Sequence, residues 1–75
     1  MNKTHKDNFT LAASTLGLEV IDARGGFDAD GAPLMTFVVA RGDLMTEGVI
    51  HFPASLMDMK RVLAAKRVRL GVARA

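Results

Sequence analysis

The stretch Gly25-Gly26-Phe27-Asp28-Ala29-Asp30-Gly31-Ala32-Pro33 constrains the fold of this chain more than any other. Glycine reaches positive φ without steric cost, aspartate bonds its own backbone, and proline fixes φ, so the chain must reverse here. Both flanks read as strands. Leu18 to Arg24 (LEVIDAR) begins by alternating apolar and charged residues and is rich in β-branched side chains, the pattern of a half-buried strand. Leu34 to Ala40 (LMTFVVA) is apolar on both parities, which suits a central strand covered on one face and partly covered on the other.

A second reversal follows at Gly42-Asp43, a Gly-X pair of the kind used by two-residue type II′ hairpins. Leu44 to Phe52 (LMTEGVIHF) is then a third strand, with Gly48 as a candidate bulge that restarts its alternation. The three segments make an antiparallel meander.

Pro53 ends the third strand, and Ser55-Leu56-Met57-Asp58 fits the capping box, in which the Ser55 hydroxyl accepts from the Asp58 amide and the Asp58 carboxylate reaches back. A helix is expected from Leu56. On a wheel of about 100° per residue, Leu56, Met59, Val62 and Leu63 share one core-facing arc. Lys66 and Arg67 fall inside the same arc, so the helix is expected to stop near Ala65. Val68, Leu70 and Val72 then alternate with Arg67, Arg69 and Gly71, which predicts a fourth, C-terminal strand.

Before the meander, Phe9, Ala12, Ala13 and Leu16 recur at helical spacing, Asn8 can cap the start, and Gly17 stands where a helix C-cap glycine belongs. A short helix is expected there, with residues Met1 to Asp7 as a flexible tail. The alternation of Phe9, Leu11 and Ala13 also permits a strand. The predicted architecture is a small α+β domain over residues 8–75: a short N-terminal helix, a three-stranded antiparallel meander, one amphipathic helix and a C-terminal strand.

Composition narrows the function classes. A chain of 75 residues has room for one domain and buries only about 60% of its unfolded surface. There is no cysteine, which removes disulfides, thiolate nucleophiles and the usual structural zinc sites. The start MNKTHKDNF is polar, with no apolar run behind it to serve as a signal peptide, and no stretch approaches the roughly 20 apolar residues of a membrane span. The expectation is a cytoplasmic protein without a membrane partner. Charge is uneven: Met1 to Met45 holds four Lys/Arg against six Asp/Glu, a balance of −2, whereas Thr46 onward holds six against two, a balance of +4. Such a division steers association with an acidic partner.

The candidate chemical groups have simpler readings. His51, Ser55 and Asp58 lie close in sequence, yet a triad needs its base against the hydroxyl, and Ser55 and Asp58 already explain each other as a cap. Asp28-x-Asp30-Gly31 resembles the start of a calcium loop, but the position that should close it with a glutamate is Val39. Gly25-Gly26 lacks the lysine and hydroxyl of a phosphate loop. Arg41-Gly42-Asp43 and Asn8-Phe9-Thr10 match an adhesion tripeptide and a glycosylation acceptor by letter only, the first being accounted for as a hairpin. No catalytic group, metal site or cofactor is expected.

What remains is a surface. The expectation is a non-enzymatic protein that docks on a larger macromolecular machine, in transcription, replication or defence, through an acidic face of that partner; a phage or mobile-element setting would suit such a regulator. The contacting residues expected are Lys60, Arg61, Lys66, Arg67, Arg69 and Arg74, with Phe27 in the first turn as a further candidate. The alternative is a small nucleic-acid-binding protein that uses the same cations on phosphates, as a homodimer if it reads duplex DNA. A chain with no Tyr or Trp and four Phe offers little for stacking on single strands.

Overall fold

The computed structural model describes residues 3–70. Within them the chain forms α1 (Lys3–Thr15), β1 (Glu19–Phe27), β2 (Pro33–Arg41), β3 (Leu44–His51) and α2 (Leu56–Arg69). The strands make one antiparallel sheet in the order β1-β2-β3. Helix α1 packs against β1, α2 packs against β3, and the helices pack against each other. This is the α+β class that the patterning predicts, without the C-terminal strand among the described residues.

The core lies between the sheet and the helix layer. Met35, Phe37 and Val39 of β2 point into it, and Phe9, Met59 and Leu63 meet them from the helices, all essentially inaccessible to water. The Phe9 and Phe37 rings touch with centroids 4.8 Å apart. Burying side chains of this size contributes about 1.5–3 kcal/mol each.

Helix α1 begins at Lys3, inside the stretch read from sequence as a tail, and Asn8 is an interior helical residue rather than its cap. A tertiary contact accounts for the longer helix: His5, one turn before Phe9, stacks on Phe52 with ring centroids 4.3 Å apart and an interplanar angle of 12°. The helix ends as its sequence predicts. Gly17 adopts φ +72°, its amide donates to the Ser14 carbonyl at 3.1 Å, and the Leu18 amide donates to the Ala13 carbonyl at 2.9 Å, the paired bonds of a Schellman cap.

Strand β1 runs on through Gly25 and Gly26 to Phe27, so the reversal is shorter than the composition implied. Asp28 organises it: one carboxylate oxygen accepts from the amides of Asp30 and Ala32, each at 2.9 Å. Gly31 provides the positive φ, +83°. The second hairpin places Gly42 at φ +60° with Asp43 at negative φ, as a type II′ turn requires.

Gly48 is not a bulge. The β2–β3 register is unbroken from Leu34↔His51 to Arg41↔Leu44, and Gly48 sits directly opposite Phe37. A Cβ there would lie 2.7 Å from the Phe37 ring and 2.7 Å from the end of the Lys66 stem, so glycine is required by what crosses it. The bulge lies instead in β1, where the pairing slips between Val20 and Asp22.

Helix α2 opens with both halves of the expected capping box: the Asp58 amide donates to the Ser55 hydroxyl at 3.1 Å, and the Ser55 amide donates to the Asp58 carboxylate at 3.0 Å. It does not stop at Ala65. It continues to Arg69, and Leu70 caps it by donating to the carbonyls of Lys66 and Val68. The segment read as a strand is therefore the last turn of this helix, as far as the described residues reach. Lys66 and Arg67 are half-buried; long cationic side chains bury aliphatic stems and keep their charge near water, so their place in the apolar arc does not end a helix. Val68, 61% exposed, and Leu70, 6% exposed, lie on different sides of the backbone, whereas residues two apart in a strand would share a face.

Candidate docking surface

Helix α2 brings five of the six expected cations onto one element. Arg61 and Arg69 are exposed, Lys60, Lys66 and Arg67 are half-buried, and Arg74 lies outside the described residues. Lys66, Arg67 and Arg69 occupy the last turn, where positive charge is favoured by the helix dipole.

Two contacts between basic and acidic side chains occur among the described residues, the Arg24–Asp22 ion pair at 2.9 Å and the approach of His51 Nε2 to an Asp28 carboxylate oxygen at 3.8 Å. Neither involves α2. Among the described residues the five α2 cations thus have no carboxylate within bridging distance, and the Nε of Arg67 is buried without a hydrogen-bond partner there. Asp58 is the sole acid of the helix, and its carboxyl is held below the ordinary value of 3.8 first by the hydrogen bond from the Ser55 amide, then by that with the Ser55 side chain, and last by the charge of Arg61.

The layers divide the charge. Residues 17–55, the sheet and its turns, carry two Arg against six Asp/Glu, a balance of −4, while α2 carries five Lys/Arg against one Asp, a balance of +4. The sheet face away from the helices is open. A shallow groove of about 540 Å³ crosses it, lined by Asp22, Arg24, Thr36, Val38, Glu47 and Val49. The register explains the lining: Asp22, Val38 and Glu47 form one cross-strand row, and Arg24, Thr36 and Val49 the next. Sequence patterning missed this face. The half-apolar second parity of β2 was its signal, but the bulge assigned to Gly48 hid where Glu47 and Val49 point.

Phe27, the remaining candidate, is 75% exposed at the end of β1. With His5, Pro33, Leu34 and Phe52 it borders a depression of about 250 Å³, apart from the α2 cations. His51, Ser55 and Asp58 are not assembled into a catalytic set: His51 faces Asp28, and Ser55 and Asp58 bond each other. Among the described residues no group of three His, Cys, Asp or Glu stands close enough to hold a metal ion. No described helix is long and apolar enough to cross a membrane.

Comparison of the chain with protein-family models, curated proteins and solved structures gives no match.

Proposed function

We propose that this chain is a non-enzymatic docking protein, which uses the cations of α2 to bind an acidic face of a larger macromolecular machine and so modulates it. The observation that carries this reading is the set of five α2 cations without ion pairs among the described residues, on the layer opposite an acidic sheet. Unpaired charge on a rigid helix retains its field for a partner and raises the association rate with an acidic surface. Lys60 and Arg61 point about 100° apart, and Arg67 is half-buried, which suits a patch-on-patch contact better than a helix seated in a groove.

The test is affinity capture from cell lysate, with and without nuclease, comparing the wild type with an Arg61→Glu/Arg69→Glu variant. The expected result is a stoichiometric protein partner, held at low salt, indifferent to nuclease, and lost on charge reversal or at high ionic strength. Nuclease-sensitive capture would transfer the cations to a nucleic-acid role. Capture unaffected by charge reversal would refute the basic surface altogether.

A further inference from the structure

We infer that the edge of β3, which pairs only with β2 among the described residues, accepts an extended segment of the partner protein, alternately apolar and acidic, as a fourth strand beside α2. This rests on the docking reading above and specifies what the surface holds.

The two edges of the sheet differ. The β1 edge is broken by the bulge between Val20 and Asp22 and carries Glu19, Asp22 and Arg24. Among the described residues β3 pairs only with β2, in a register without a break over eight residues. It contains no proline, lysine or arginine and a single carboxylate, Glu47, while Leu44, Met45 and Val49 are 55%, 64% and 45% exposed. Bulges, charges and prolines are the devices that keep an edge from pairing. β1 has a bulge and three charges, whereas β3 has an unbroken register and Glu47 alone, which marks β3 as the edge for strand addition.

The position of α2 identifies the kind of occupant. Helix α2 packs against β3 as α1 packs against β1, so a strand added at the β3 edge lies beside α2. A second copy paired antiparallel fits poorly there, because strands at about 4.8 Å spacing would bring along two α2 helices on one face that need about 8–10 Å. A copy paired in parallel would put its cationic α2 on the opposite face, against the acidic row of Asp22 and Glu47, without covering the α2 cations of the first. The occupant is therefore a segment without a helix layer of its own.

Its side chains follow from the flanking groups. The Lys66 stem reaches over Gly48 of β3, and Val62 and Arg69, four before and three after Lys66, share that flank of α2. Side chains of the added strand that rise toward α2 meet cations, which selects carboxylates. Those on the other face lie beside Met45, Glu47 and Val49; the two apolar side chains favour apolar residues, and Glu47 disfavours a second carboxylate there.

The experiment is an amide NMR titration of the full chain with an eight-residue peptide of alternating valine and glutamate at about 1 mM, the range of a weak complex. It is compared with a scrambled peptide of the same composition and with the alternating peptide N-methylated at every amide. The expected result is shifts and slowed hydrogen exchange across residues 44–51. N-methylation and Lys66→Glu should each weaken binding, the former about tenfold or more because several backbone hydrogen bonds are lost. Equal binding of the scrambled or N-methylated peptide, with shifts confined to α2, would overturn strand addition while leaving the charge-based docking intact. No shift in residues 44–51, or a second copy found paired at this edge by sedimentation and chemical-shift mapping, would also overturn it. Lysate capture judges the docking reading separately.

Discussion

Gly48→Ala puts the packing of the two layers to a direct test. The new methyl would sit 2.7 Å from Cζ and 3.2 Å from Cε2 of Phe37 and 2.7 Å from Cε of Lys66, against about 3.5–4.0 Å for comfortable carbon contacts. The end of the Lys66 stem is flexible and can move at little cost. The Phe37 ring cannot: it is 2% exposed and wedged against Phe9. Overpacking of this kind costs about 1–3 kcal/mol, from which about 0.5–1 kcal/mol is recovered because alanine has less chain entropy to lose than glycine. The difference is a net loss of up to about 2.5 kcal/mol, centred near about 1 kcal/mol, and each kcal/mol lowers Tm by about 4–8 °C in a domain of this size. Urea unfolding followed by circular dichroism measures it as a lower midpoint at unchanged slope. The same substitution in a Lys66→Ala background should cost as much, since the lysine is not the obstacle, whereas a Phe37→Leu background should absorb much of it. Equal or greater stability of Gly48→Ala in the wild-type background would refute the reasoning and return Gly48 to a position chosen only for backbone freedom.

Three further outcomes follow from the same structure. Ser55→Ala removes the N-cap acceptor of α2 and should destabilise by about 0.5–2 kcal/mol, read from the urea midpoint, whereas Phe27→Ser at a 75% exposed position should stay within about 0.5 kcal/mol of wild type. The Asp58 carboxyl is lowered on folding, so its contribution is fully present above the ordinary value of 3.8 and fades as pH falls through the folded value; the stability gap between wild type and Asp58→Asn should close on acidification, and a gap that widens would contradict the cap. Arg67→Leu removes a buried Nε that has no partner while keeping an apolar stem, and should stabilise by about 1 kcal/mol or leave stability unchanged, measured by thermal unfolding; a large loss would show that the Arg67 head group is held by something the structure does not contain.

The features legible in the sequence are those made within a few residues of chain. The Gly17 cap, the Ser55–Asp58 box and the Asp28 turn each close hydrogen bonds across two to five positions, and the Gly42 turn pairs Arg41 with Leu44 three positions on, so the residues that make them stand side by side in the sequence. The meander follows, because two tight reversals between strand-like segments leave antiparallel pairing as the simple arrangement. The cations of the proposed docking surface could likewise be identified by residue type, although not their presentation.

Tertiary structure decided what depends on neighbours remote in sequence. His5 is helical because Phe52 receives its ring, and Gly48 is glycine because Phe37 and Lys66 cross it. The last turn of α2 shows the reason most clearly. Alternation of Val68 and Leu70 suggested a strand, and two cations in the apolar arc suggested a stop, but the Lys66 stem lies along the sheet over Gly48 and Arg67 is half-buried. Whether a lysine ends a helix or covers a core is settled by what lies beneath it. That decision kept all five described cations on α2 and left β3 as a free edge among the described residues.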